Sequence, residues 1–311
     1  MNLLITGIDG WIASALANRC RELGHTVRGS TRQRDSNGIV GVGEINGDTD
    51  WSRAVAETEV VVHLAARVHM MSDYATDPLA AFREVNTIGT LNLATQAATA
   101  GVKRFVFLSS IKVNGESTPP DHPYFADDPA IPADPYGISK HEAEQVLRSV
   151  TEKTGMEVVI IRPPLVYGPG VKANFESMMR WLDRGLPLPL GAIQQNRRSL
   201  IALDNLVDLI ITCLTHPAAA NQTFLVSDGE DLSTVALLKR MGQALGKPAR
   251  LFYVPTALLR LGAILFNKRG VYQRLCDSLQ MDIGKTRQLL DWQPPITVDE
   301  GLRRAAKGFR R

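Results

Sequence analysis

Three side chains in this sequence have the types and spacing for moving a proton at a carbonyl or alcohol oxygen. Tyr136 and Lys140 stand four residues apart in YGISK, and the pair Ser109-Ser110 lies upstream. On a helix, that spacing puts the phenol and the ammonium on one face, a turn apart. The cationic neighbour is expected to stabilise the phenolate and lower its pKa, so that the tyrosine can give or take a proton. A serine within reach would hold the same oxygen in place. Tyr and Lys four apart recur by chance on surface helices, so the reading depends on the elements that must position them.

The chain opens on a short apolar run, Asn2 to Thr6, followed by GIDGWIASALANRCREL. Strand, glycine turn and helix form the start of a dinucleotide-binding βαβ unit. Gly7 permits the tight turn, and Gly10 lets the backbone approach a pyrophosphate at the helix amino terminus. The third small position is Ala13 where glycine is usual. His25 to Ser30 reads as the second strand. Its end carries Thr31, Arg32 and, two residues on, Arg34, where an NAD site usually has an acid. An uncharged acceptor beside a guanidinium suits a 2′-phosphate, which favours NADP(H), with NAD(H) the other possibility. Ile45 to Asp48 reads as a short third strand whose terminal acid, Asp48, could accept from an adenine amino group.

Val60 to Val68 and Lys103 to Ser110 are apolar runs suited to strands buried on both faces, separated by a helix pattern over Phe82 to Ala100. Ala65 and Ala66 are small where a cofactor backbone would pass, and Ser110 falls at a strand's carboxyl end. His63 reads as a packed strand residue, since no second ligand lies at metal spacing. Alternating strands and helices imply a doubly wound parallel α/β sheet.

These residues, taken together, resemble the extended short-chain dehydrogenase/reductase family, its nucleotide-sugar epimerase, dehydratase and reductase branch. The resemblance is carried by TGIDGWIA at 6–13, GD at 47–48, HLAA at 63–66, NTIGTLNL at 86–93, SSIKVNG at 109–115, YGISK at 136–140 and RPPLVYGPG at 162–170. It implies a Rossmann-type domain over 1–167 carrying the catalytic residues. A smaller, mainly substrate-binding lobe would occupy 168–311, with about 200–228 returning to the core. It implies Ser110, Tyr136 and Lys140 as the catalytic set, with Lys140 also holding the nicotinamide ribose. The cofactor contacts are then Gly7, Gly10, Trp11, Ile12, Thr31, Arg32, Asp48, Ala65, Ala66, Lys140 and Pro163. Asn174 and Arg198 are the candidates for the sugar nucleotide's diphosphate and sugar, with Arg197 the alternative to Arg198. Asp204 or Asn205 should cap the helix that follows. Asn114 replaces the tyrosine usual in the family's VYG signature.

Ile111 and Lys112 stand where 4,6-dehydratases of the family carry acids, so dehydration is not expected. The leading expectation is an NADPH-dependent nucleotide-sugar 4-ketoreductase. The resemblance points to UDP-2-acetamido-2,6-dideoxy-4-keto-hexoses, giving UDP-QuiNAc or UDP-FucNAc type products for O-antigen or other surface polysaccharide. The alternative is a UDP-hexose or UDP-N-acetylhexosamine 4-epimerase with tightly bound NAD. A third reading is a non-catalytic NADP-binding protein, against which stands the presence of the whole catalytic set.

Composition bounds the rest. The 311 residues carry a net charge of +3 with scattered basic residues and no basic stripe interleaved with aromatics, which argues against nucleic-acid binding. Cys20, Cys213 and Cys276 are far apart, which argues against a disulfide framework or a zinc site. No leader pattern opens the chain, so a cytoplasmic protein is expected. The apolar stretch Val254 to Phe266 is interrupted by Arg260 and too short to span a bilayer. Its Ala257 to Phe266 part is expected to pack on the small lobe, and the basic residues Arg303, Arg304, Lys307, Arg310 and Arg311 to form a solvated face. A homodimer through the helices after Phe82 and Tyr136 is common in the family.

Overall fold

The computed structural model describes residues 1–33, 35–68 and 77–309. Nine strands are present among them: β1 (Asn2–Thr6), β2 (Thr26–Thr31), β3 (Ile39–Gly41), β4 (Val60–His63), β5 (Arg104–Leu108), β6 (Glu157–Arg162), β7 (Leu165–Tyr167), β8 (Leu200–Ala202) and β9 (Thr223–Leu225). Seven form one parallel sheet in the order β3-β2-β1-β4-β5-β6-β9, while β7 and β8 pair separately. The order reverses at β1, whose Thr6 is in register with Ser30 on one side and His63 on the other. Ligands of open α/β sheets bind outside the strands' carboxyl ends at such a reversal.

Helices cover both faces because the crossovers between parallel strands require it. On one face α1 (Trp11–Glu22) and α7 (Leu203–Thr215) bury Leu16, Cys20, Leu206 and Ile210 against the sheet. Between them in the chain come α2 (Ser52–Val55), α3 (Pro78–Arg83), α4 (Gly89–Thr99), α5 (Pro135–Thr154) and α6 (Ala173–Asp183). Helices α4 and α5 cover the opposite face through Leu93, Ala97, Ala143 and Leu147. A five-residue π-turn, Glu84–Ile88, joins α3 to α4, so the helix expected over Phe82 to Ala100 starts earlier and is wound irregularly. Asp77 caps α3, accepting from Ala80 N at 3.0 Å, and Asp134 caps α5, accepting from Gly137 N at 2.7 Å. Gly155, at φ 76°, ends α5 in the left-handed conformation.

A second core lies beyond β6. There α6, α8 (Thr234–Ala244) and α12 (Val298–Phe309) enclose Phe175, Met179, Leu238, Met241 and Leu302. The remaining helices are α9 (Thr256–Leu265), α10 (Arg269–Cys276) and α11 (Gly284–Leu290).

Three local expectations are corrected. The third strand is Ile39–Gly41 rather than Ile45–Asp48, which is a turn held by Asn46 and Thr49. Only Ile45 of that segment is buried, so Asp48 lies exposed outside the sheet. Neither Asp204 nor Asn205 caps α7, which already begins at Leu203 and has no side-chain cap. Asn205 instead donates to Asp228 Oδ1 at 2.7 Å and Ile296 O at 2.9 Å, while Asp204 pairs with Arg304 at 3.2 Å. The stretch over 257–266 is helical, but α9 has no buried residue: Leu259 packs against the lobe while Leu258, Leu261 and Leu265 face outward. No described helix is long and apolar enough to cross a membrane.

Candidate active site

Strand β5 ends at Leu108 and delivers two serines, which the structure sends to different tasks. Ser109 is buried and donates to Glu144 Oε1 at 2.6 Å. Ser110 stands at the head of the 3₁₀ turn Ile111–Val113 and accepts from Lys112 N at 3.2 Å. Its hydroxyl proton therefore has no acceptor among the described residues, which leaves Ser110 as the serine able to engage a ligand oxygen.

The 3₁₀ turn is tied to the start of α5. Lys112 forms an ion pair with Asp134, the α5 cap, and Gly137 allows the helix to approach the Lys112 carbonyl. A Cβ at Gly137 would lie 2.7 Å from that oxygen, so a larger residue would push α5 away from Ser110. One turn further along α5, Lys140 is fully buried and donates to Leu108 O at 2.9 Å. Its ammonium also lies 4.4 Å over the Phe107 ring. Tyr136 is half-buried, with Phe82 edge-on at 6.0 Å between ring centres. Lys140 is thus anchored to the carboxyl end of β5, with Tyr136 one turn before it on the same helix.

The tuning foreseen for this pair is not what the geometry produces. Burial, with a contribution from the Asp134 carboxylate, pushes the Tyr136 phenol above its ordinary pKa. Burial pushes the Lys140 ammonium down to about 7, against the opposing pull of Glu144. Desolvation dominates both shifts, and the opposing or added charges come from Glu144 and Asp134 rather than from the other member of the pair.

Beneath them lies a polar network that sequence reasoning missed. Glu144, four residues after Lys140, forms a buried ion pair with Arg162 at 2.5 Å. Arg162 also donates to Asn114 Oδ1 at 3.0 Å. Asn114 therefore works as an internal acceptor and not as a substrate contact. An acid on the buried face of α5 was the available signal.

His63 is structural, as expected. Thr90 Oγ1 gives its proton to Asn86 O, so His63 Nε2 must donate to Thr90, at 3.0 Å, and Nδ1 must accept from Thr6 Oγ1, at 2.7 Å. Burial drives its pKa down to about 3, so the ring is neutral. Thr6 in turn accepts from the amides of Leu64 and Ala65, which fixes the chain where it leaves β4.

The turn after β1 fits a dinucleotide. Gly7, at φ +65°, lies so close to Ala65 that a Cβ would come within 3.0 Å of its Cα. Gly10 precedes α1 with no side-chain cap, and the first turn of α1 contains no acid. Its amides, from Trp11 and Ile12 onward, are therefore open to an anion. The Trp11 indole points away and donates to Pro169 O at 2.7 Å, pinning the segment after β7. Pro163 is buried and its carbonyl accepts from Ile111 N at 3.0 Å, so it braces the Ser110 turn. Ala65 and Ala66 are half-buried.

At the end of β2 an acid is present after all, supplied from the glycine turn. Thr31 Oγ1 donates to Asp9 Oδ2, and the exposed Arg32 forms an ion pair with Glu44 at 3.6 Å. The guanidinium expected to receive a 2′-phosphate thus already faces a carboxylate, and a second carboxylate stands beside Thr31. Arg34 lies outside the described residues, as do Arg310 and Arg311 of the tail.

In the second lobe, Asn174 is exposed in the first turn of α6. Arg198 is half-buried and donates to a carbonyl, Asp277 O, at 2.9 Å. Burial lowers its pKa from the ordinary value. Arg197, exposed, donates to Gln194 O and Asn196 O in its own loop. Arg198 bridges to Leu279, next to the Ser278 that bridges to Thr118 in the chain following the Ser110 turn.

The sequence and the fold both match known proteins. The family model described as NAD dependent epimerase/dehydratase family matches residues 3–227. The chain belongs to this family. Among curated relatives, a UDP-glucose 4-epimerase of Vibrio cholerae is 47% identical over 312 residues, covering 99% of this chain and 95% of that one. Another protein of that name, from Mycolicibacterium smegmatis, is 29% identical and covers 100% and 99%. Among solved structures, the UDP-N-acetylglucosamine 4-epimerase from Bacillus cereus superposes over 100% of both chains with a TM-score of 0.81 at 19% identity, a likeness of fold. The family's epimerase structures share the seven-stranded parallel sheet with flanking helices described above.

Proposed function

We propose that this protein is a UDP-sugar 4-epimerase that works with a retained NAD. The observation that carries the reading is the 47% identity to the Vibrio cholerae UDP-glucose 4-epimerase over nearly the whole of both chains. The NADPH-dependent ketoreductase foreseen from the sequence gives way to its alternative. Its main local support was Thr31 with Arg32, and these residues face Asp9 and Glu44. A 2′-phosphate would meet two carboxylates there, whereas ribose hydroxyls would find an acceptor in Asp9.

NAD bound in the Gly7–Gly10 cradle supplies a reversible acceptor for the hydrogen at C4 of the sugar. Tyr136, in the phenolate form that the Lys140 ammonium stabilises, takes the proton from the C4 hydroxyl and, as the phenol, returns it when the ketone is reduced from the other face. Ser110 Oγ donates to the same oxygen and keeps it in line with the phenol. Lys140, charged for part of the time near pH 7, offsets the negative charge that develops on the phenol. Arg198, half-buried and with no carboxylate at contact distance among the described residues, holds the diphosphate through a planar fork. An anchor on the diphosphate leaves the hexose free to present either face, which epimerisation needs and a single reduction does not.

The test uses the purified protein without added cofactor. Denaturing it should release NAD in near-stoichiometric amount, and incubation with UDP-glucose should yield UDP-galactose with no net oxidation or reduction. Turnover that consumes one NADPH per product, from a 4-keto sugar nucleotide, would overturn the epimerase reading.

A further inference from the structure

Between Asp231 and Asp277 the sequence contains no acidic residue and eight basic ones. This segment includes α9 and α10, the two helices among the longer ones with no buried residue. They form a helical hairpin whose inner side, Leu259 and Leu275, rests on the second lobe's core. The outer side is apolar and uncovered among the described residues. Leu258, Leu261 and Leu265 follow one another at helical spacing along one face of α9, and Leu265 and Phe266 at its tip are 73% and 77% exposed. Single exposed apolar residues are ordinary, but a contiguous face of them marks an interaction surface.

Charge decides what the surface meets. Arg260, Lys268 and Arg269 are exposed around this face and have no ion-pair partner among the described residues. By contrast, Arg240 and Lys247 nearer the core are paired with Glu230 and Asp183. A second copy docking by two-fold symmetry would bring these cations against themselves. An anionic bilayer answers both features: its phosphates accept the cations while the leucine and phenylalanine side chains enter the headgroup–acyl boundary. Lys268 and Arg269 follow Phe266 after a single residue, Asn267, so their long stems can reach back to the headgroups as the ring inserts.

We propose that the α9–α10 hairpin docks this protein on anionic membrane surfaces. The contact is interfacial, by a short amphipathic element, and independent of which sugar the enzyme turns over. It also joins the active site. Asp277, the residue after α10, accepts from Arg198, and Leu275 O accepts from Asn196 at 3.2 Å and Thr234 at 2.6 Å. The hairpin's far end is thus bonded to the loop that presents the diphosphate-binding arginine.

The test is flotation of the full-length protein with vesicles of phosphatidylcholine alone and of phosphatidylcholine with about one third phosphatidylglycerol. Binding is expected to the anionic vesicles, to weaken steeply with added salt, and to fall at least about tenfold in Phe266→Glu and in the double variant Lys268→Glu/Arg269→Glu. Circular dichroism and 4-epimerase turnover in solution should stay at parental levels in both variants, which separates loss of docking from loss of fold. Absence of flotation with either vesicle would overturn the proposal, as would binding that both variants retain. A lipid-free dimer of the parent that Phe266→Glu converts to monomer would equally overturn it, since a second copy would then occupy the face.

Discussion

A phenol held above its ordinary pKa is a reluctant acid or base, and Tyr136 is held there by burial. Its competence has to come from what approaches it: the ligand oxygen, Ser110 and the charge of Lys140. Replacing Tyr136 with Phe should lower turnover at least about a hundredfold, the usual scale of acid–base assistance, while leaving NAD content unchanged on denaturation. Asp9 makes a prediction about the cofactor. Asp9→Asn keeps a hydrogen-bond acceptor for Thr31 and removes a charge from the end of β2. The ratio of dissociation constants for NADPH over NADH, read by fluorescence titration of cofactor-free protein, should fall about tenfold, as expected when one repulsive pair is removed at partly shielded range. That Tyr136 and Lys140 share one turn of a helix was legible in their spacing, and that Ser110 follows a strand was legible in the apolar run before it. Asp9 was not, because it occupies a free position of the glycine turn and acquires its partner 22 residues later only on folding.

Helix α5 carries the site on one end and its foundation on the other. Lys140 and Glu144 lie a turn apart, and the buried Glu144 neutralises the buried Arg162 that fixes Asn114. Glu144→Ala would leave a guanidinium without its counter-ion in the interior. The expected cost is about 3–5 kcal/mol in urea unfolding, far above a surface ion pair. The exposed pair Arg19–Glu22 provides the control, and its removal should be nearly silent. The parallel strands were readable as apolar runs, yet the edge strand β3 was misplaced. It has only three half-buried residues, and a run that short has no periodicity of its own. The pairing of β7 with β8 joins Leu165 to Leu200. Nothing local in either segment announces a partner so far along the chain.

For the molecule as a whole, Lys140 links stability to pH. Burial holds it at about 7 against an ordinary value of 10.5. Between those values the unfolded chain binds a proton that the folded one lacks, so this residue makes the fold more stable as pH rises from about 7 to about 10.5. Lys140→Met should remove that slope: the variant's stability relative to the parent should decline across this window in urea titrations. The acid-free stretch of 232–276 has a different whole-molecule consequence. With the chain at +3 in all and that stretch at +8, the remaining residues carry −5. The sequence pI of about 8.8 is then an average over an acidic body and a basic flank. Such a molecule does not lose its grip on a cation-exchange resin where its mean charge vanishes. It should still be retained above that pH, flank first, and elute later than its overall charge would dictate.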